Sequence, residues 1–314
     1  MKKRLFKIGC LMVSLVVVLV IIQSQGLKSS ASSKVVEKNI RIGFFDMLSN
    51  IYTTIQYGGS NDTPEGICAV GNVLYTTKIH TDGTTTIIKT VEQNGKVKHI
   101  MPEKNLNLGH ANDIAYYNGY LYIAGLNNKF YRVKDNGLNE NGYEKYTFKT
   151  YTCSNVTLAT DASKYSTASW NITHYTGKYF IFCSSINSSR KMTFRVGYFN
   201  DSTNKFVVTK SFTTTAKAFT TIQGITYNNG YLYQTTSDNA GSGNMNKVSE
   251  YYIGTDYTKL AQSYSLAYYG TFDNLNVEKF EIESLTFDKN NMMYVLVNVA
   301  GKKDYIYKSK STIQ

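Results

Sequence analysis

Ile222-Gln223-Gly224-Ile225-Thr226-Tyr227-Asn228-Asn229-Gly230-Tyr231-Leu232-Tyr233 reads as two short strands around an Asn-Gly turn. Asn-Gly readily adopts the two positive φ angles of a tight hairpin, and β-branched and aromatic residues flank it. Four more copies follow the same plan. Pro64-Glu65-Gly66-Ile67 leads to Val73-Leu74-Tyr75, and Ala111-Asn112-Asp113-Ile114 to Tyr120-Leu121-Tyr122. Ser169-Trp170-Asn171-Ile172 leads to Tyr179-Phe180-Ile181, and Ile282-Glu283-Ser284-Leu285 to Met293-Tyr294-Val295. Aligned on residues 67, 114, 172, 225 and 285, successive copies are 47, 58, 53 and 60 positions apart. Further strand pairs lie between copies, such as 86–91 with 96–100, so one period holds four strands. Four strands per period of this length is the pattern of a β-propeller.

The expectation is an all-β, five-bladed β-propeller. A six-bladed ring, with the N-terminal segment as a degenerate blade, is the alternative. After Leu285 there is chain for about three strands, so the last blade lacks one. Two strand-like runs, 41–45 and 51–57, precede the first copy, and either can supply the missing outer strand. Such closure removes the exposed edges of an open ring. With 27 Tyr and only 2 Pro in 314 residues, the composition suits half-buried strands joined by polar turns.

Ahead of this domain, Lys2, Lys3, Arg4 and Lys7 precede a mostly apolar run at 8–22, then a polar, Ser-rich stretch containing Ser29-Ser30-Ala31. This predicts a signal peptide over 1–31, cleaved after Ala31, with an uncleaved membrane anchor as the alternative. Cys10 lies before most of the apolar run and is not a lipobox cysteine. A polar linker at 32–39 and a single propeller domain at 40–314 complete the organisation. The protein is expected to be secreted, or membrane-anchored and facing outside.

The formal net charge is +12, and loss of residues 1–31 removes five positive and no negative charges, leaving +7. Outside a cell this favours a cell-wall or other anionic glycan as partner; excess lysine serving only solubility is the alternative. No nucleic-acid module is recognisable, and membrane contact is expected only through the signal segment if it is retained. The odd trio Cys68, Cys153 and Cys183 cannot form a closed disulfide framework. Buried free thiols are expected, with a Cys153–Cys183 bridge left open.

In a propeller the first strand of each blade lines the channel. The residue two before the aliphatic position falls near that strand's start: Glu65, Asn112, Trp170, Gln223 and Glu283. The next ring is Gly66, Asp113, Asn171, Gly224 and Ser284, with His110 just upstream. Glu65, His110, Asn112, Trp170, Asn171, Gln223 and Glu283 are therefore candidate ligand-binding residues at one mouth. Polar residues that only satisfy backbone and water in the throat are the alternative. Glu65, Asp113 and Glu283 are the catalytic candidates, since paired carboxyl groups perform acid–base work on glycosidic bonds.

Other chemistries lack support. His80, His99, His110 and His174 show no metal-ligand spacing, and no metal or cofactor is expected. There is no Gly-X-Ser-X-Gly elbow, P-loop or dinucleotide fingerprint. The oxygen-rich stretch 237–244 departs from the EF-hand spacing and reads as a flexible loop.

His110-Ala111-Asn112, Ile222-Gln223-Gly224 and Ile282-Glu283-Ser284-Leu285 with its final strand pair resemble the helveticin J group of large secreted bacteriocins, in short patches over the last three-fifths of the chain. That resemblance implies an antibacterial protein acting at the envelope of competing cells. The strong export signal is a departure, since members of that group do not always carry one. Gln223-Gly224-Ile225-Thr226-Tyr227 is also similar to the inner strand of propeller-type glutaminyl cyclases. In that reading Glu65, Asn112, Trp170 and Glu283 occupy comparable places at the channel mouth. Three functions are carried forward: a bacteriocin-like binder of envelope glycans, an extracellular enzyme (glycan hydrolase, lyase or glutaminyl cyclase), and a cell-surface protein-binding scaffold.

Overall fold

The computed structural model describes residues 36–37, 48–55, 62–94, 96–100, 106–125, 129–135, 147–153, 170–186, 192–214, 221–237, 246–272, 280–299 and 304–312. The expected signal segment, most of the linker, the run at 41–45 and the loop beyond Ser237 lie outside the described residues. Among the described residues no helix is long and apolar enough to cross a membrane.

After a two-residue strand, β1 (Val36–Glu37), and β2 (Leu48–Ile55), the chain builds four-stranded antiparallel sheets in succession. The first contains β3 (Thr63–Val70), β4 (Val73–Ile79), β5 (Thr85–Gln93) and β6 (Lys96–Ile100). The second contains β7 (Asp113–Tyr117), β8 (Tyr120–Ala124), β9 (Lys129–Lys134) and β10 (Lys149–Thr152). The third contains β11 (Trp170–Thr176), β12 (Tyr179–Ile186), β13 (Met192–Asn200) and β14 (Lys205–Thr214). A single parallel bridge, Thr152 with Lys205, joins the second and third sheets at their outer edges.

The fourth sheet holds β15 (Thr221–Asn228), β16 (Tyr231–Ser237), β17 (Asn246–Tyr252) and β19 (Tyr268–Phe272), with the short β18 (Ser263–Tyr264) pairing back onto β14. The last holds β20 (Glu281–Phe287), β21 (Met292–Asn298) and β22 (Asp304–Thr312), and β2 pairs antiparallel with β22 in the register Thr53 to Ile306 and Ile55 to Asp304. The N-terminal part of the domain thus supplies the outer strand of the final blade.

The inner strands contact one another in the cycle β3, β7, β11, β15, β20 and back to β3, which makes the fold a β-propeller. Among the described residues, five apolar clusters lie between neighbouring blades. Ile67, Leu74 and Ile88 meet Tyr294, Leu296 and Ile306 across the junction of first and last blades. Phe130 and Tyr151 meet Phe180, Phe182 and Phe206 between the second and third. This sandwiching explains why β4, β16 and β21 each show at least five consecutive buried residues, whereas outer β13 alternates over its first half.

The hairpins follow the sequence expectation. Asn118 and Gly119 have φ of 49° and 81°, and Asn229 and Gly230 have 49° and 90°, the double left-handed geometry that lets two residues reverse a twisted ribbon. Cys68, Cys153 and Cys183 are all buried and none is in a disulfide, so the Cys153–Cys183 bridge left open above is not formed. Each thiol fills apolar space between blades.

Candidate functional site

The two rings of inner-strand residues have different fates. The second ring closes the channel. Asp113 is fully buried, and its carboxylate accepts from Ile114 N–H at 3.0 Å, Ile225 N–H at 3.0 Å, Ile172 N–H at 3.3 Å and Ser284 Oγ–H at 3.2 Å. One side chain of the second blade therefore ties the third, fourth and last blades at the axis. Burial pushes the Asp113 carboxyl well above the usual range, and those four donors oppose the shift.

Gly66 and Gly224 make room for this floor. A Cβ on Gly66 would lie 2.6 Å from Asp113 Cα, and one on Gly224 would lie 2.4 Å from Ser284 Oγ. Their amides are held alike: Gly66 N–H donates to Thr77 Oγ1 at 2.9 Å and Gly224 N–H to Thr235 Oγ1 at 2.8 Å. Thr77 donates onward to the Ala111 carbonyl and Thr235 to the Glu283 carbonyl, linking each blade to the next. Asn171 is also part of the floor and donates to the Gln223 carbonyl.

The first ring precedes that floor by one residue on each inner strand, and its described members are buried. Register shifts at Pro64/Ile67, Ile222/Ile225 and Ile282/Ser284 fall on the strands that carry Glu65, Gln223 and Glu283. Such bulges re-aim side chains, here off the regular alternation. Glu65 is 6% exposed and Glu283 2%. Asn112 and Gln223 are buried beside them in sequence register, and Gln223 Nε2 donates to Ser237 Oγ at 2.9 Å. The Trp170 side chain lies outside the described residues; its backbone opens β11.

Glu65 and Glu283 sit on adjacent inner strands, β3 and β20, and the charge of Glu65 acts on Glu283. Burial raises the Glu65 carboxyl, while the His110 imidazole beside it pulls it down. For Glu283, burial and then the charges of Glu65 and Glu281 push the carboxyl well above the usual range, with Asn298 opposing. Glu283 Oε1 is shut from solvent and has no hydrogen-bond partner. His110 Nδ1 stands 3.6 Å from Glu65 Oε1, and the imidazole, 33% exposed, is raised by that neighbour.

Sequence reasoning missed the charged groups near Glu283 where the ring closes. Lys78 and Asp304 form a buried ion pair at 2.6 Å. His80 lies between Asp62 Oδ2 and Thr86 Oγ1, each at 2.7 Å. Lys78, which pairs with Pro64 across β3 and β4, could be found only by extending the repeat alignment to the end of the second strand. Asp304 follows a chain stretch with no repeat signature. Among the described residues no three His, Cys, Asp or Glu side chains converge as a metal site.

No family model matches the chain, and no curated protein matches it. Among solved structures it is similar to the glutaminyl cyclase of Myxococcus xanthus, at 10% identity and TM-score 0.47, over 82% of this chain and 96% of that one. It is similar to the GH43_1 enzyme from Xanthomonas citri complexed with xylose, at 8% identity and TM-score 0.49, over 85% of this chain and 91% of that one. A third likeness is to the tail fiber of Staphylococcus aureus phage P68, at 15% identity and TM-score 0.46, covering 83% of this chain and 52% of the fiber chain. None of these three is a helveticin-type bacteriocin, and that resemblance stands on its sequence patches alone.

Proposed function

We propose that the chain is an exported propeller enzyme whose channel mouth performs acid–base chemistry on a polysaccharide of the cell envelope, with Glu283 as proton donor and Glu65 as its carboxylate partner. The observation that carries this reading is the unpartnered Glu283 Oε1 beside Glu65. A buried carboxyl oxygen left without a partner costs stability, on the order of 1–3 kcal/mol, and such groups cluster where chemistry needs them. Burial and neighbouring negative charge favour the protonated form of Glu283, the form a general acid requires. Glu65, beside the His110 imidazole, is the member that ionises first.

The test is turnover by the full-length protein, its Glu65→Gln and its Glu283→Gln forms. Substrates are a panel of bacterial wall polysaccharides and peptides with N-terminal glutamine, which also covers the cyclase alternative. Loss of at least a hundredfold in both variants with unchanged unfolding supports the reading. Turnover that survives both substitutions overturns it.

A second reading is a non-enzymatic, antibacterial glycan-binding propeller. The floor formed by Asp113 and Ser284 favours it, because it ties the inner strands together directly next to the ring of Glu65 and Glu283. Retained binding to purified walls and growth inhibition by both variants, with no turnover, would select this reading.

A further inference from the structure

Glu65 and Glu283 are almost closed to water, so any proton they give or take needs a route. The chain has four histidines, and their surroundings separate them. His80 has Asp62 and Thr86 on its two ring nitrogens, and His99 has Thr53 and Thr90. His174 bonds to the Gly177 carbonyl and stacks on Tyr117 at the hairpin end of its blade. His110 alone of the four pairs with Glu65 while keeping a third of its side chain exposed.

The backbone around His110 is held in an unusual form. Gly109 has φ of 71° and Ala111 of 50°, so left-handed residues flank the histidine on both sides. Glycine takes that conformation freely, but alanine does so at a cost of about 1–2 kcal/mol. The form persists because both flanking carbonyls are clamped: Thr85 Oγ1 donates to Gly109 O at 2.5 Å and Thr77 Oγ1 to Ala111 O at 2.8 Å. Ala111 is itself fully buried in the cluster between first and second blades. Strain that the surroundings enforce at one side chain is a reason to look for a role there.

We propose that His110 is the proton-relay residue between solvent and the buried Glu65–Glu283 pair, aimed at the mouth by the clamped Gly109–Ala111 turn. This rests on the acid–base reading above. In the inward step the imidazole takes a proton at Nε2 from an acid in solvent and releases the proton on Nδ1 to Glu65 Oε1. The present 3.6 Å separation closes to hydrogen-bonding distance by a small side-chain rotation, as apo catalytic contacts commonly do. The groups facing the relay are Glu65 and, behind it, Glu281 and Glu283, then Asp304 with its partner Lys78.

The experiment is a pH titration of the carboxyl carbons and imidazole nitrogens by NMR in the full-length protein, its His110→Gln form and its Glu65→Gln form. The expected result is a Glu65 midpoint at least one pH unit higher in His110→Gln, and a His110 midpoint at least one unit lower in Glu65→Gln. Either variant suffices if the other fails to fold. Where turnover is found, His110→Gln lowers it about tenfold and imidazole in solution restores it, with unchanged thermal unfolding. Unmoved midpoints, or a turnover loss that imidazole does not repair, overturn the relay. Absence of turnover with shifted midpoints overturns the enzymatic reading instead.

Discussion

Lys78 Nζ lies 2.6 Å from Asp304 Oδ2, and both side chains are almost wholly buried, so an ion pair ties the second strand of the first blade to the third strand of the last. The two residues are 226 positions apart, and the pair stands where β2 completes the ring. Breaking such a pair from one side strands a buried charge, at a cost of about 3–5 kcal/mol. Lys78→Met and Asp304→Leu should each lower the urea unfolding free energy by that order, and the double variant should recover most of the loss. Additive losses in the double variant would show that the two charges do not act as a pair.

Stability should fall as pH rises from mild acid. Burial pushes the Asp304 carboxyl from 3.8 up to about 6, against the pull of Lys78. The folded state therefore keeps that proton between about pH 4 and pH 6 after the unfolded chain has lost it. Its contribution is full below pH 4 and lost as pH rises through 6, about 3 kcal/mol at most. Glu65 and Glu283 are raised by burial, and His110 by Glu65, so all three act with the same sign. His174 is lowered by burial and acts oppositely. Urea midpoints at pH 5 should exceed those at pH 8, and Asp304→Asn should flatten the slope between 4 and 6. A midpoint that climbs from pH 5 to pH 8 would contradict this account.

Asp113 should matter more for stability than for any activity at the mouth. Asp113→Ala leaves three backbone N–H groups and the Ser284 hydroxyl without their acceptor in a dry floor. At about 1–3 kcal/mol for each stranded donor, the loss should reach several kcal/mol, and the yield of folded protein should fall sharply. Asp113→Asn keeps one acceptor oxygen and should lose less. Wild-type unfolding of either variant would remove Asp113 from the floor.

Gly66→Ala and Gly224→Ala should differ in how far they can be repaired. The first drives a methyl against the Asp113 backbone, which cannot yield, and the second against Ser284 Oγ and Cβ and, at 2.8 Å, its Cα. Each should cost about 1–3 kcal/mol as overpacking. Ser284→Gly should relieve part of the Gly224→Ala loss and leave the Gly66→Ala loss untouched, as read from thermal unfolding of the double variants.

The repeat, the hairpin turns and the identity of the inner strands were all legible in the sequence. Asn118-Gly119 and Asn229-Gly230 act locally, and the aliphatic positions 67, 114, 172, 225 and 285 recur because every blade meets two neighbours. The polar ring beginning at Glu65 was legible for the same reason. The separate work of Glu65 and its neighbour Gly66, or of Glu283 and Ser284, was not.

Sequence alone determined that the chain forms a ring of blades with two layers of channel residues, because strand alternation and turn chemistry are short-range. Only the tertiary structure decided that Asp113, Gly224 and Ser284 pack together in the floor while Glu65 and Glu283 sit on adjacent inner strands beside it. Bulges on β3, β15 and β20 break the two-residue alternation, and their placement depends on neighbouring blades. The same holds for Lys78 with Asp304 and His110 with Glu65. Each charge is held in a low-dielectric seam that exists only after distant parts of the chain have met.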